Sequence, residues 1–191
     1  MESLLKKLVK AAKKGDQHAF EGLVELYKDR IYRLAFRMIG DRHEAEDLAQ
    51  EAFVKAYMNL DKYDDTYAFS TWLYRIATNL CIDRLRKKKP DYSMDAPLST
   101  SDGGTLYQQI PHSEEALETV VEKREERATL QEEISKLPEK YRTAIILKYI
   151  EDLSLEEMSA IMELPVPTVK TRIHRGRELL KKVYKKVMKS R

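Results

Sequence analysis

The sequence predicts an all-α protein: two small helical domains joined by a flexible linker, the second a four-helix domain containing a helix-turn-helix. Three observations carry that expectation. Apolar residues recur at spacings of three, four and seven along most of the 191 residues, and no alternating strand pattern of useful length occurs. Glycine and proline number only six each, and several fall together between Pro90 and Pro111. The last quarter of the chain reads as a short helix, a tight turn and a longer basic helix.

The elements follow in order. Leu4, Leu5, Leu8, Val9 and Ala12 share one face of an amphipathic N-terminal segment. It lacks the long apolar core and cleavage site of a leader, so it is expected to dock on its own domain rather than on a membrane surface. Phe20, Leu23, Val24, Tyr27, Ile31, Leu34, Ala35 and Met38 make the next stripe, and Gly40 ends it as a C-terminal cap. Ala45, Leu48, Ala49, Ala52, Phe53, Ala56 and Leu60 make another, and Leu73, Ile76, Ala77 and Leu80 begin a further one. The stretch K-P-D-Y-S-M-D-A-P-L-S-T-S-D-G-G-T-L-Y-Q-Q-I-P has no helical period and is rich in turn formers. Beyond it, Leu130, Ile134 and Leu137 lead to Pro138, and Tyr141, Ile145, Ile146 and Tyr149 define another helix. The expected organisation is a domain over 1–90, a linker over 91–113 and a second domain over 114–191.

Ser154 and Glu157 have the spacing of a capping box, and Leu155, Met158, Ile161 and Met162 give the helix after it one apolar stripe. The chain breaks at Glu163-Leu164-Pro165-Val166. Pro167 is expected at the first position of the next helix, where a missing N–H costs nothing. Val169, Ile173, Leu180, Val183 and Val187 are expected to pack inward. Thr168, Lys170, Thr171, His174 and Arg175 point the other way, with Arg172 among the neighbouring cations. Short donors and cations on one helix face are the types that read base edges and hold phosphates. The alternative is a solvated basic helix that closes a bundle.

Composition narrows the choice of partner. The chain is 42% hydrophobic and 35% charged, with a net charge of only +3. That charge is unevenly placed. The tail is basic, whereas Glu114, Glu115, Glu118, Glu122, Glu125, Glu126, Glu132 and Glu133 make an acidic middle. A local basic patch points to nucleic acid more strongly than the total does. Cys81 is the only cysteine, so an intrachain disulfide is impossible and a reducing compartment is expected. No apolar run reaches the length of a membrane span. His18, His43, His112 and His174 are scattered, without metal-ligand spacing. No Gly-rich phosphate loop or nucleophile motif occurs, so neither a cofactor, a small-molecule substrate nor catalysis is expected.

Three constellations mark the first domain. In D-R-H-E-A-E-D-L-A-Q-E-A-F, Glu44, Asp47 and Glu51 form an acidic stripe opposite the apolar one, with Gln50 beside it. Such a stripe suits a basic protein surface, although an ordinary solvated face has the same composition. In K-Y-D-D-T-Y-A-F-S-T-W-L-Y, the rings of Tyr63, Tyr67, Phe69, Trp72 and Tyr74 crowd a loop and the start of a helix. Rings in such a cluster are more often core, but rings beside cations also stack single-stranded bases. In R-I-A-T-N-L-C-I-D-R-L-R-K-K-K, Trp72, Arg75, Asn79 and Arg86 lie near one face. An amide there can pair with an extruded base, or simply be a surface amide.

With these residues in view, the chain resembles a known family over nearly its whole length. D-Q-H-A-F-E-G-L-V, A-E-D-L-A-Q-E-A-F-V-K-A-Y, F-S-T-W-L-Y-R-I-A-T-N-L and L-P-E-K-Y-R-T-A-I-I-L-K-Y, with the basic helix-turn-helix, look like a sigma-70-family initiation factor. The compact two-domain form resembles the extracytoplasmic-function group, and R-K-K-K-P-D-Y resembles its sigma-W type. The family's turn commonly reads P-V-G-T-V, where this chain has Pro165-Val166-Pro167-Thr168-Val169; proline is compatible with a helix start.

The resemblance implies roles for named residues. Asp47, Gln50 and Glu51 match the surface that docks on the β′ clamp helices of core RNA polymerase. The second domain matches the one that meets the β flap. Tyr67, Phe69, Trp72, Arg75 and Asn79 match the region that captures a flipped base of the −10 element. Arg84, Arg86 and Lys87 match its phosphate-facing end. Thr168, Lys170, Thr171, Arg172, His174 and Arg175 match the reader of the −35 element. The linker matches the segment threaded toward the polymerase active centre. The family also suggests a cytoplasmic protein that is held by a membrane-bound anti-sigma factor and forms no stable homo-oligomer. The competing reading is a stand-alone helix-turn-helix repressor or activator. It explains the C-terminus equally well but leaves the aromatic–Asn–basic segment and the acidic stripe without a purpose.

Overall fold

The computed structural model describes residues 2–88 and 130–189, with side chains described for 4–87 and 130–182. The first domain comprises α1 (Glu2–Lys13), α2 (Gln17–Ile39), α3 (Arg42–Met58), a short 3-10 turn (Leu60–Lys62) and α4 (Phe69–Lys88). The second comprises α5 (130–135), α6 (Glu139–Tyr149), α7 (Leu155–Met162) and α8 (Val166–Lys189). Every described element is helical. The expected linker, 91–113, and the acidic run from Glu114 to Glu126 lie outside the described residues, as do the side chains of Val183 and Val187.

Local chemistry sets the helix ends. Asp16 accepts the Ala19 N–H at 3.1 Å and starts α2. Asp41 accepts the Glu44 N–H at 2.9 Å and starts α3. Each satisfies a donor that the first helical turn leaves open. Gly40 ends α2 at φ 83, a left-handed conformation that glycine adopts without Cβ strain, and its N–H reaches the Phe36 carbonyl at 2.8 Å.

The apolar stripes then meet. Leu23, Ile31, Leu34 and Met38 of α2 are fully buried beside Ala45, Leu48, Ala52 and Ala56 of α3 and Leu73 and Ala77 of α4. Val9 and Ala12 of α1 are buried too, and Leu5 and Leu8 pack against the same core. Leu4 departs from expectation. It is 62% exposed, while the neighbouring Leu5 packs against the core.

In the second domain, Ser154 and Glu157 form the expected capping box. Met158 and Ile161 of α7 and Val169 and Ile173 of α8 pack against Ile145 and Ile146 of α6. Helix α8 begins one residue earlier than expected, at Val166. The Pro165 carbonyl accepts from Thr168 at 2.9 Å and Val169 at 3.1 Å, so Pro167 takes the second helical position, where its N–H would have no partner either. Gly176 lets α8 approach α6 closely, since a Cβ there would stand 2.7 Å from Ile145 Cγ1.

The two domains touch. Helix α7 packs along α4, and α6 meets the end of α2. The Arg142 guanidinium spans the seam, donating to the carbonyls of Met38 at 2.6 Å and Leu137 at 3.1 Å and also to that of Ser135. Gln131 donates to the Arg37 carbonyl at 3.0 Å. These side chains satisfy carbonyls that the end of α2 leaves open.

Candidate nucleic-acid interface

A cleft of about 540 Å³ opens between the loop at 59–67 and the outer face of α4. Its lining includes Lys55, Tyr67, Trp72, Arg75 and Asn79, with Ala160 of α7. Helical spacing explains the floor: Trp72, Arg75 and Asn79 are three and four residues apart and share one face. Arg75 and Asn79 are exposed, and Trp72 is half-buried.

The loop is held from several sides. The Tyr63 hydroxyl donates to the Tyr67 carbonyl at 2.8 Å, and Asp64 accepts the Thr66 N–H at 3.0 Å. The Thr66 hydroxyl first, and then this N–H, hold the Asp64 carboxyl below its ordinary range. Lys13 of α1 donates to the Tyr63 carbonyl at 2.5 Å. The rings divide into two sets. Tyr63, Phe69 and Tyr74 are buried; Phe69 meets Tyr63 at 5.6 Å and Tyr27 at 5.8 Å between centroids. Phe69, at 3% exposure, turns its ring into the core and anchors the loop there. Tyr67, 51% exposed, keeps a free face, and Trp72 lies 5.3 Å from Tyr63. One amide, two accessible rings and an arginine around an open cleft can hold an unstacked base.

Near the far end of α4 the cations are less free than their sequence suggests. Arg84 lies 3.8 Å from Glu44 and Arg86 lies 3.4 Å from Glu139, while Lys87 is exposed. Glu44 is accordingly half-buried and does not extend the open acidic stripe. Asp47, Gln50 and Glu51 are exposed on α3, with Glu51 3.2 Å from Lys55. Sequence reasoning missed the apolar continuation of that face. Val54 is 56% and Met58 72% exposed. Their spacing from Asp47 and Glu51 was the available signal.

The third surface is the outer face of α8. Lys170, Thr171, His174 and Arg175 are exposed; Thr168 and Arg172 are half-buried. Thr171 donates to the Pro167 carbonyl at 3.0 Å. Arg175 hydrogen-bonds the Tyr141 side chain, which draws the Tyr141 hydroxyl below its ordinary pKa. Val169, Ile173 and Gly176 face inward and fix the rotation of the helix. The free side of α8 therefore carries hydroxyl and cationic donors, the types able to hold phosphates and base edges.

Both domains match known families. The Sigma-70 region 2 model matches residues 23–90, and the Sigma-70 region 4 model matches 127–180. The chain is 57% identical to the ECF RNA polymerase sigma factor SigW of Bacillus subtilis (strain 168), over 95% of this chain and 97% of that one. It superposes on CnrH, solved with the cytosolic domain of CnrY, with a TM-score of 0.69 at 25% identity, covering 95% of this chain and 97% of that one. It shares its fold with the sigma factor RpoE, solved with the anti-sigma factor NepR from Bartonella quintana: TM-score 0.61, 21% identity, 87% of this chain and 96% of that one. The chain belongs to the sigma-70 family of RNA polymerase sigma factors, in its extracytoplasmic-function group. Sigma factors are initiation factors rather than catalysts. No described helix is long and apolar enough to cross a membrane.

Proposed function

We propose that this sigma factor directs core polymerase to alternative promoters of the stress or envelope type and helps to open their −10 element. The proposed organisation is a polymerase-docking and −10 domain over 1–90, a linker over 91–113 and a −35 domain over 114–191. Asp47, Gln50 and Glu51, extended by Val54 and Met58, dock on the β′ clamp helices, and the second domain meets the β flap. Tyr67, Trp72, Arg75 and Asn79 hold a flipped −10 base, with Phe69 supporting them from the core. Arg84, Arg86 and Lys87 follow the phosphates. Thr168, Lys170, Thr171, Arg172, His174 and Arg175 read the −35 element. The protein works in the cytoplasm and is restrained by a membrane-bound anti-sigma factor.

The carrying observation is the exposed Arg75–Asn79 pair beside Trp72 in an open cleft. Unstacking a base costs a few kcal/mol, and each stacked base returns about 1–3 kcal/mol. Holding melted DNA better than duplex is therefore within reach at one or two positions, and polymerase must supply the rest. A promoter pre-melted at −10 separates the roles. Trp72→Ala should be partly rescued on it, because the opening step is removed. Asn79→Ala should remain defective in open-complex formation while −35 binding stays intact. Full rescue of Asn79→Ala would remove the base-reading role.

A further inference from the structure

The loop that walls the cleft has little backbone structure of its own. Residues 63–68, between the 3-10 turn and α4, belong to no helix. Side chains set their shape, and the contacts form a relay. The Tyr63 hydroxyl donates to the Tyr67 carbonyl at 2.8 Å, which ties Tyr63 to one of the two accessible rings. The Tyr63 ring lies 5.3 Å from Trp72, the other accessible ring. Buried Tyr63 is thus the common support of both stacking surfaces. Its carbonyl accepts from Lys13 Nζ at 2.5 Å, a charge-assisted bond between residues 50 positions apart. The same ammonium lies 5.8 Å from the centre of the Tyr63 ring.

The lysine starts from a fixed backbone. It is the last residue of α1, whose Val9 and Ala12 are buried in the core. The turn beyond it is closed by the Gly15 N–H on the Ala12 carbonyl at 3.0 Å, with Gly15 at φ 93. Lys13 is not among the residues that line the cleft. Helix α1 also lies outside residues 23–90, the span that the region 2 model matches.

We propose that Lys13 is a positioning residue for −10 capture: its bond to the Tyr63 carbonyl presets the loop, so that the Tyr67 and Trp72 rings stand in place before DNA arrives. The proposal rests on the −10 reading of the cleft. Capture weakens by the inverse of the fraction of chains with the loop in place, so one in five weakens it about fivefold. An ammonium held by a carbonyl is not engaged with phosphate, so Lys13 adds nothing to the salt dependence of DNA binding.

The test uses the full chain and the holoenzyme reconstituted from it. Lys13→Met keeps the aliphatic stem and removes the donor, whereas Lys13→Arg keeps a donor. Trp72 is the only tryptophan, so acrylamide quenching of its emission reports access to the cleft in the free chain. Lys13→Met should raise that quenching. The DNA probe is a promoter fragment on which the wild-type holoenzyme initiates, pre-melted at −10. Lys13→Met should capture it about fivefold more weakly, with wild-type affinity for core polymerase and a wild-type slope of affinity against salt. Lys13→Arg should restore capture, and Lys13→Met should cost less in a Tyr67→Ala background. Unchanged quenching, or a loss of capture matched by an equal loss of polymerase binding, would overturn the proposal. So would a salt slope shallower by about 0.7, the mark of a direct single-strand phosphate contact. Asn79→Ala on the same probe separates the two readings. A defect there with wild-type capture by Lys13→Met overturns the positioning role alone. Wild-type capture by Asn79→Ala removes the −10 reading, and the proposal falls with it.

Discussion

Gly176 offers a sharp test of how α8 is seated on α6. A Cβ at this position would lie 2.7 Å from Ile145 Cγ1, 3.1 Å from Cδ1 and 3.4 Å from the Tyr141 carbonyl. Ile145 is only 2% exposed, and the first overlap is near the root of its side chain, so it cannot simply swing aside. Overpacking of this kind costs about 1–3 kcal/mol. Replacing a mid-helix glycine by alanine returns about 1 kcal/mol of helix propensity. Gly176→Ala should therefore be destabilising by about 0–2 kcal/mol, against a gain at an open helical site. Urea unfolding followed by circular dichroism reads the change, and a double-mutant cycle assigns its cause. Ile145→Ala alone should cost about 2–5 kcal/mol. Combined with Gly176→Ala it should cost about 0.5–3 kcal/mol less than the sum, because the overlap is gone. Stabilisation by Gly176→Ala with strict additivity would refute the close approach of α8 to α6.

Three further outcomes follow from other parts of the structure. Ser154→Ala removes the oxygen that accepts the Glu157 N–H at 3.2 Å and should lower stability by about 1 kcal/mol in the same unfolding assay; an unchanged midpoint would mean the capping box contributes nothing. Asp47→Lys with Glu51→Lys should weaken core-polymerase binding at least about tenfold without altering the thermal midpoint, since both side chains are exposed. Copurification at the wild-type yield would remove that surface from the docking site. Arg175→Ala should cost about 1–3 kcal/mol of holoenzyme affinity for the −35 element and relax preference at one base pair. A uniform loss across all sequences would make Arg175 a phosphate anchor.

Much of this fold was legible because its signals are local. The Ser154–Glu157 box, the Gly40 cap and the apolar stripes each occupy one or two helical turns, so spacing alone exposes them. The exposed polar face of α8 was legible for the same reason. What stayed hidden depends on pairs distant in sequence. No periodicity tells that Glu163 meets Arg75, or that Arg142 satisfies a carbonyl at Met38. The aromatic cluster is an intermediate case. Composition marked it, but only packing separates Phe69 and Tyr74, which fill the core, from Tyr67, which does not. Gly176 was invisible because a mid-helix glycine acquires meaning only when a neighbouring helix is present. Val54 and Met58 were missed because an exposed apolar residue is common on any surface.

The most direct measurement is reconstituted transcription. The purified chain is mixed with bacterial core polymerase and genomic fragments, and transcript 5′ ends are mapped. A defined set of start sites that share −35 and −10 elements, absent with core alone and lost with Asn79→Ala, is the expected result. Tight binding of the chain to duplex DNA without polymerase, together with no new start sites in its presence, would contradict the assignment.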